Sequence, residues 1–243
     1  MIIATANQKG GVSKTTTCAA LACALHNAGK RVLAVDMDPQ CSLSFILGAD
    51  TNAPGVLDLL QGGSLPELVQ HTEQCDIIAG SKLLAATAGK IQPGALQNAL
   101  TPAWHRYKYI VIDTPPGLTN ALLLALVCAD LIVVPVTADA GSLLGLRDLR
   151  DTIATAQKYL PFKKEVRALL TQANTRKTNA EKAIEEALRT TCAELEIPFY
   201  RQEIRRADAV RASAGFRESI VNYDPKSKPA QDYIALLSEM KLK

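Results

Sequence analysis

The chemistry legible in this sequence is concentrated in one segment, Asn7-Gln8-Lys9-Gly10-Gly11-Val12-Ser13-Lys14-Thr15-Thr16. Glycines let backbone N–H groups close on an anion. A helix that begins at Lys14 turns its own free N–H groups to the same point. Lys14 then reaches the terminal phosphates of a nucleotide, and the Thr15 hydroxyl binds Mg²⁺. The match to G-x-x-x-x-G-K-[ST] is incomplete, because Gln8 and Ser13 stand at its glycine positions. Ser13 is small and suits a helix N-cap, although its φ freedom is lower than glycine's. The order of strand, Gly pair, Lys-Thr and helix carries the expectation of phosphate binding.

Two further segments run from apolar residues into a carboxylate: Arg31–Asp36, continuing through Met37-Asp38-Pro39-Gln40, and Tyr109–Asp113, continuing through Thr114-Pro115-Pro116-Gly117. Four apolar residues ending in Asp113 have the Walker B form. Behind a phosphate loop such a carboxylate holds Mg²⁺ through a water or through Thr15.

These segments need a scaffold that brings them to one edge. Ile2–Ala6, Arg31–Asp36, Gln74–Ala79, Tyr109–Asp113, Leu131–Pro135 and Val166–Thr171 read as buried strands. Thr15–Ala28, Ala95–Tyr107, Ser142–Tyr159, Asn179–Glu194 and Ser227–Lys241 read as helices, the first ended by Gly29. The alternation predicts a single α/β domain over 1–243, a mostly parallel, doubly wound sheet with helices on both faces. Such sheets bind ligands beyond the carboxyl ends of their strands. The polar segments Asn7 to Lys14, Asp36 to Gln40, Asp113 to Gly117 and Thr137 to Ser142 all fall at those ends.

Composition narrows the class. The 243 residues are 48% hydrophobic and 21% charged, a globular balance, and no apolar run reaches a membrane span. At 5%, aromatics are too few for single-strand stacking platforms. The amino terminus lacks a basic region and a cleavage site, so no secretory signal is expected. Six cysteines, none in a C-x-x-C pair, fit a reduced compartment better than a metal site.

Lys9, five residues before Lys14 and directly ahead of Gly10-Gly11, makes the loop a deviant Walker A pattern. Here the chain resembles the ParA/MinD group, and over nearly its whole length the short ParA/Soj partition ATPases. The resemblance extends to D-x-D-P-Q at Asp36–Gln40, to Asp76-Ile77-Ile78-Ala79-Gly80-Ser81, to Ala129–Val136 and to Thr171–Arg176. It implies a cytoplasmic, nucleoid-associated bacterial ATPase with ATP and Mg²⁺ as cofactors. It places residues 9–16 on the nucleotide: Lys9, Gly10, Gly11, Val12, Ser13, Lys14, Thr15 and Thr16. Lys9 reaches across a homodimer to the partner's nucleotide. Asp38 lies near Mg²⁺ and the attacking water, with Asp36 in support. Thr15, Asp38 and Asp113 surround the metal, and Asn174 bonds the adenine. The loop begins at residue 7, so no amino-terminal helix-turn-helix is expected.

Charge is uneven: residues 1–159 net −1 and residues 160–243 net +4. Arg201, Arg205, Arg206, Arg211 and Arg217 cluster, with Arg176 and Lys177 on an earlier loop. The resemblance makes Arg176, Arg201, Arg205, Arg206 and Arg211 the expected contacts to double-stranded DNA, without sequence preference. The segment lacks the family's Pro and Asn, having Arg205 and Ala207. The implied cycle has ATP-driven face-to-face dimerisation, DNA binding, and hydrolysis stimulated by a ParB-like centromere-binding partner. The alternatives are a slow or non-hydrolysing switch acting as scaffold or co-regulator, and a MinD-like membrane-surface ATPase. Against the latter, the terminal stripe from Tyr233 to Lys243 has few flanking basic residues and reads as a helix packed on the domain.

Overall fold

The computed structural model describes residues 1–158 and 164–242. Its strands are short runs of apolar residues, most of them buried on both faces: β1 (Ile2–Thr5), β2 (Val32–Asp36), β3 (Val69–His71), β4 (Asp76–Ile78), β5 (Tyr109–Asp113), β6 (Leu131–Val136) and β7 (Glu165–Leu170). They form one sheet in the order β3-β4-β2-β5-β1-β6-β7, with only β3 antiparallel to its neighbour. Register pairs Asp113 with both Thr5 and Asp36, so the tips of the three central strands are level.

The helices are α1 (Lys14–Asn27), α2 (Ser42–Ile46), α3 (Val56–Leu60), α4 (Leu65–Leu68), α5 (Leu84–Thr87) and α6 (Ala95–Leu100). They continue with α7 (Asn120–Cys128), α8 (Ala140–Gln157), α9 (Asn179–Glu194), α10 (Ala209–Gly215), α11 (Ile220–Tyr223) and α12 (Lys228–Glu239). Strand alternation splits the core. Ile2, Ala4, Leu33, Val35, Ile110 and Ile112 pack with α7 and with Leu146 and Leu149 of α8. Ile3, Ala34, Val111 and Val133 face α1 and α12 on the other side. The doubly wound, mostly parallel α/β architecture is the expected one.

Helix α1 is Ala-rich and buried from Thr17 to Leu25, so it belongs to the core rather than to the surface. It ends with Gly29 at φ 74° and the Lys30 N–H donating to Leu25, a left-handed stop that favours glycine. The terminal helix α12 packs on the domain through Ala230, Tyr233, Leu236 and Leu237, and the fully buried Tyr233 hydroxyl meets the Thr17 hydroxyl at 3.0 Å.

Four elements differ from expectation. The helix expected over Ala95–Tyr107 stops at Leu100 and continues as a 3₁₀ turn over Thr101–His105, because Pro102 cannot donate to the ladder. Helix α7 has no helical period to detect: it is apolar all round and buried from Ala121 to Cys128 except at Leu123. Strand β3, three residues directly after α4, is too short for an alternation pattern. Helix α8 starts two residues before the expected Ser142, and the expected end at Tyr159 lies outside the described residues.

Candidate functional site

The phosphate loop connects the tip of β1 to α1. Asn7 anchors it: its amide nitrogen donates to the Pro135 carbonyl at 2.8 Å, and its oxygen accepts from the Lys9 N–H at 3.0 Å. Gln8 donates to the Asp148 carbonyl and the Thr152 hydroxyl of α8, at 2.9 and 2.7 Å. Ser13 occupies the N-cap position of α1 at φ 67°, ψ 31°, but its side chain does not cap the helix. The left-handed backbone carries the hydroxyl away from the first turn, where it accepts from Gln172 at 3.0 Å.

Lys14 is buried and donates to the Lys9 carbonyl at 2.8 Å. Burial lowers its pKa, against the raising influence of Asp113 and Asp38. Asp113 is fully buried. On Oδ1 it accepts a hydrogen bond from the Thr5 hydroxyl at 3.3 Å, while Oδ2 has no hydrogen-bond partner. Burial, reinforced by Asp36, pushes its carboxyl up to about 8. Asp36 accepts from the Ser44 N–H at 2.8 Å, the Ser44 hydroxyl at 2.7 Å and the Asp38 N–H at 3.1 Å. Burial raises it to about 6 despite those bonds. Asp38 is buried at the mouth, its Oδ1 accepting from the Gln40 N–H at 2.9 Å.

This is a lysine amine and three carboxyl groups converging beneath a helix N-terminus. Among the described residues no group of three His, Cys, Asp or Glu side chains forms a metal cage. Magnesium at nucleotide sites needs none, since one or two carboxylates share it with phosphates and waters. The orphaned Asp113 Oδ2, beside Thr15, is a donor set of that kind.

Lys9 lies at the rim. Its ammonium forms an ion pair with Asp139, the N-cap residue of α8, and reaches the hydroxyls of Thr137 and Ser142, each at 3.4 Å. Two cavities flank the loop. One, of about 270 Å³, lies among Ser13, Thr16, Ile204, Arg206, Val210 and Arg211. The other, of about 240 Å³, lies among Lys9, Gly11, Asp139, Gln172, Asn174 and Arg206. Asn174 is exposed there, and its amide donates to Glu181 at 2.5 Å, a residue that also closes the Thr178 capping box of α9.

The basic segment is divided. Arg176, Arg201 and Arg211 are exposed, and Arg206 is exposed between the two cavities. Arg205 instead binds the buried Asp232 of α12 through Nε at 2.9 Å and Nη2 at 2.5 Å, with its N–H adding a third bond at 2.9 Å. Arg217 folds over the Phe45 ring and donates to the Phe45 and Ala49 carbonyls. Lys177 is held by Glu185 and Glu203. Sequence reading missed Asp139, Thr171, Gln172 and Asp232. Only Asp139 had a local signal, an N-cap acid three residues before Ser142; the other three depend on contacts 27 to 161 residues away in sequence.

The chain is 32% identical over 250 residues to the sporulation initiation inhibitor protein Soj of Bacillus subtilis, covering 98% of this chain and 97% of that one. It is likewise 32% identical to the chromosome-partitioning ATPase Soj of Thermus thermophilus, covering 98% and 94%. A family described as an AAA domain matches residues 1–168. The chain belongs to the ParA/Soj ATPases. Among solved structures, a Mycobacterium smegmatis protein described as cobyrinic acid a,c-diamide synthase, with bound ATP analogue and magnesium, superposes with a TM-score of 0.81 at 30% identity, covering 99% of this chain and 95% of that one. ATP hydrolysis is the reaction of the ParA/Soj ATPases, and ATP and Mg²⁺ are their cofactors. Among the described residues no helix is long and apolar enough to cross a membrane.

Proposed function

We propose that this protein is a DNA-partition ATPase in which Mg-ATP drives face-to-face dimerisation and sequence-independent DNA binding. A ParB-like centromere-binding protein then stimulates hydrolysis and releases the dimer. The observation that carries the reading is the row formed by Thr5, Asp113 and Asp36 at the carboxyl edge of β1, β5 and β2, directly under the Lys14 end of α1.

In this reading the N–H groups from Gly10 to Thr16 and the Lys14 ammonium hold the phosphates. Thr15 and Asp113, with Asp38 nearby, hold Mg²⁺, which supplies charge stabilisation to the phosphoryl oxygens. Asp38 at the mouth orients the attacking water. Asn174 and Arg206 line the side where the base sits. Lys9 exchanges Asp139 for the second subunit's nucleotide. Arg176, Arg201 and Arg211 remain free for phosphate contacts on duplex DNA.

Sedimentation velocity with ATP, ADP and no nucleotide, followed by ATP turnover with and without DNA, tests this. Lys14→Ala is expected to lose ATP binding, whereas Lys9→Ala binds ATP but no longer dimerises with it. A Lys9→Ala protein that dimerises with ATP as wild type does rules out the cross-subunit role.

A further inference from the structure

Two non-glycine residues in the left-handed region face each other across the phosphate loop. Ser13 has φ 67°, and Gln172, two residues beyond β7, has φ 54°. The Gln172 amide nitrogen donates to the Gly11 carbonyl at 2.7 Å and to the Ser13 hydroxyl at 3.0 Å. Beside it the Thr171 hydroxyl stands 3.1 Å from both the Val12 and the Val136 carbonyls and shares its one proton between them. Three consecutive residues of the loop are therefore strapped to the exit of β7.

The strap has a directional consequence. A trans peptide holds its C=O and N–H pointing opposite ways. Drawing the Gly11 carbonyl to Gln172 turns the Val12 N–H away from Gln172, into the loop. Drawing the Val12 carbonyl to Thr171 does the same for the Ser13 N–H. Inward N–H groups are what a phosphate nest consists of. The Ser13 carbonyl is already committed, accepting from the Thr17 N–H at 2.9 Å in the first turn of α1.

We propose that Gln172 is a positioning residue for the phosphate loop, whose amide compensates for the glycine missing at position 13. A glycine there adopts the left-handed conformation without penalty and offers no hydroxyl to bind. With serine the conformation is strained, and strain of this kind persists only where surrounding contacts over-determine it. Gln172 supplies two such contacts from outside the loop. This inference rests on the loop being the nucleotide site.

The test is a titration of the full chain with a fluorescent ATP analogue, together with thermal melting, in wild-type and Ser13→Gly backgrounds. Gln172→Leu removes the donor at similar size; Gln172→Glu keeps the shape and places an acceptor against the Gly11 carbonyl. In the wild-type background both are expected to weaken nucleotide binding about tenfold, equivalent to ~1.4 kcal/mol. In the Ser13→Gly background Gln172→Leu costs less than threefold, while Gln172→Glu keeps a penalty from its repulsion of the Gly11 carbonyl. Equal losses of affinity for Gln172→Leu in both backgrounds overturn the proposal. So does a lowered melting temperature with affinity intact, the mark of a purely structural residue. A wild-type protein that binds no nucleotide removes the site reading and this inference together. A wild-type protein that binds, with a Gln172→Leu variant that binds equally, removes this inference alone.

Discussion

Lys9, the lysine that sets this loop apart from an ordinary Walker A, is ion-paired to Asp139 of its own chain. Burial raises the Asp139 carboxyl, but hydrogen bonds from Lys9 and Thr137 outweigh it and hold the pKa below the usual carboxylate range. Helix α8 thus holds the lysine within its own chain, and in the proposed dimer the second subunit's nucleotide would compete for it. Asp139→Asn tests that competition, because asparagine is an equally good N-cap but removes the charge and exchanges one of the two acceptor oxygens for an NH₂ donor. The variant is expected to dimerise with ATP at several-fold lower protein concentration in sedimentation runs. An unchanged concentration dependence disproves the latch.

Asp113→Asn separates stability from function. The Asp113 carboxyl stands at about 8 against an ordinary 3.8, chiefly through burial and then through Asp36. A carboxyl with a raised folded pKa binds its proton more tightly when folded. The contribution of Asp113 to stability is therefore greatest below pH ~4 and falls as pH rises from there to about 8. Without nucleotide the asparagine variant should melt ~2–4 °C above wild type at pH 8, roughly 1 kcal/mol for a chain this long. The gap should close toward pH 5, and the Mg²⁺-dependent gain on adding ATP should vanish. A gap equal at both pH values argues against a titrating Asp113.

Asp38→Ala is expected to retain ATP binding and dimerisation while turnover drops by about two orders of magnitude or more, the scale for a residue that positions the nucleophile. DNA residence should lengthen in parallel. Single-turnover hydrolysis measures it; an unaltered rate assigns the water to another group.

The arginines should separate into two classes. Arg176→Glu is expected to abolish DNA binding with melting unchanged, since its exposed side chain makes no hydrogen bond or ion pair among the described residues. Arg205→Glu should instead unfold the protein several degrees lower, because a second carboxylate replaces the bidentate partner of buried Asp232. For wild type, affinity should fall with a log–log salt slope of about −0.9 per phosphate contacted. Binding assays on unrelated duplexes at two salt concentrations, with melting curves alongside, read both classes.

Gly145→Ala probes how closely α8 approaches the loop. Alanine normally gains ~0.5–1 kcal/mol inside a helix. Here its Cβ would stand 3.1 Å from Asn7 Oδ1, the acceptor of the Lys9 N–H, and 3.4 Å from Lys9 Cβ. The expected result is no rise in melting temperature and weaker ATP-dependent dimerisation. A clear stabilisation with normal dimerisation means that the loop yields freely.

By itself the sequence determined six of the seven strands, most of the long helices and the phosphate loop with its two acidic strand tips. Those signals are local: apolar runs of four to six residues, Gly-Gly before Lys-Thr, an acid directly after a buried strand. The tertiary structure alone decided the rest. It showed that Ser13 does not cap α1, because a left-handed backbone aims its hydroxyl at Gln172, 159 residues away in sequence. It gave Lys9 to Asp139, 130 residues on, and Arg205 to Asp232. It also divided one basic stretch into arginines that hold the fold and arginines that face solvent. Charge density along a chain records how many cations a segment carries. Only folding decides which of them meet a carboxylate.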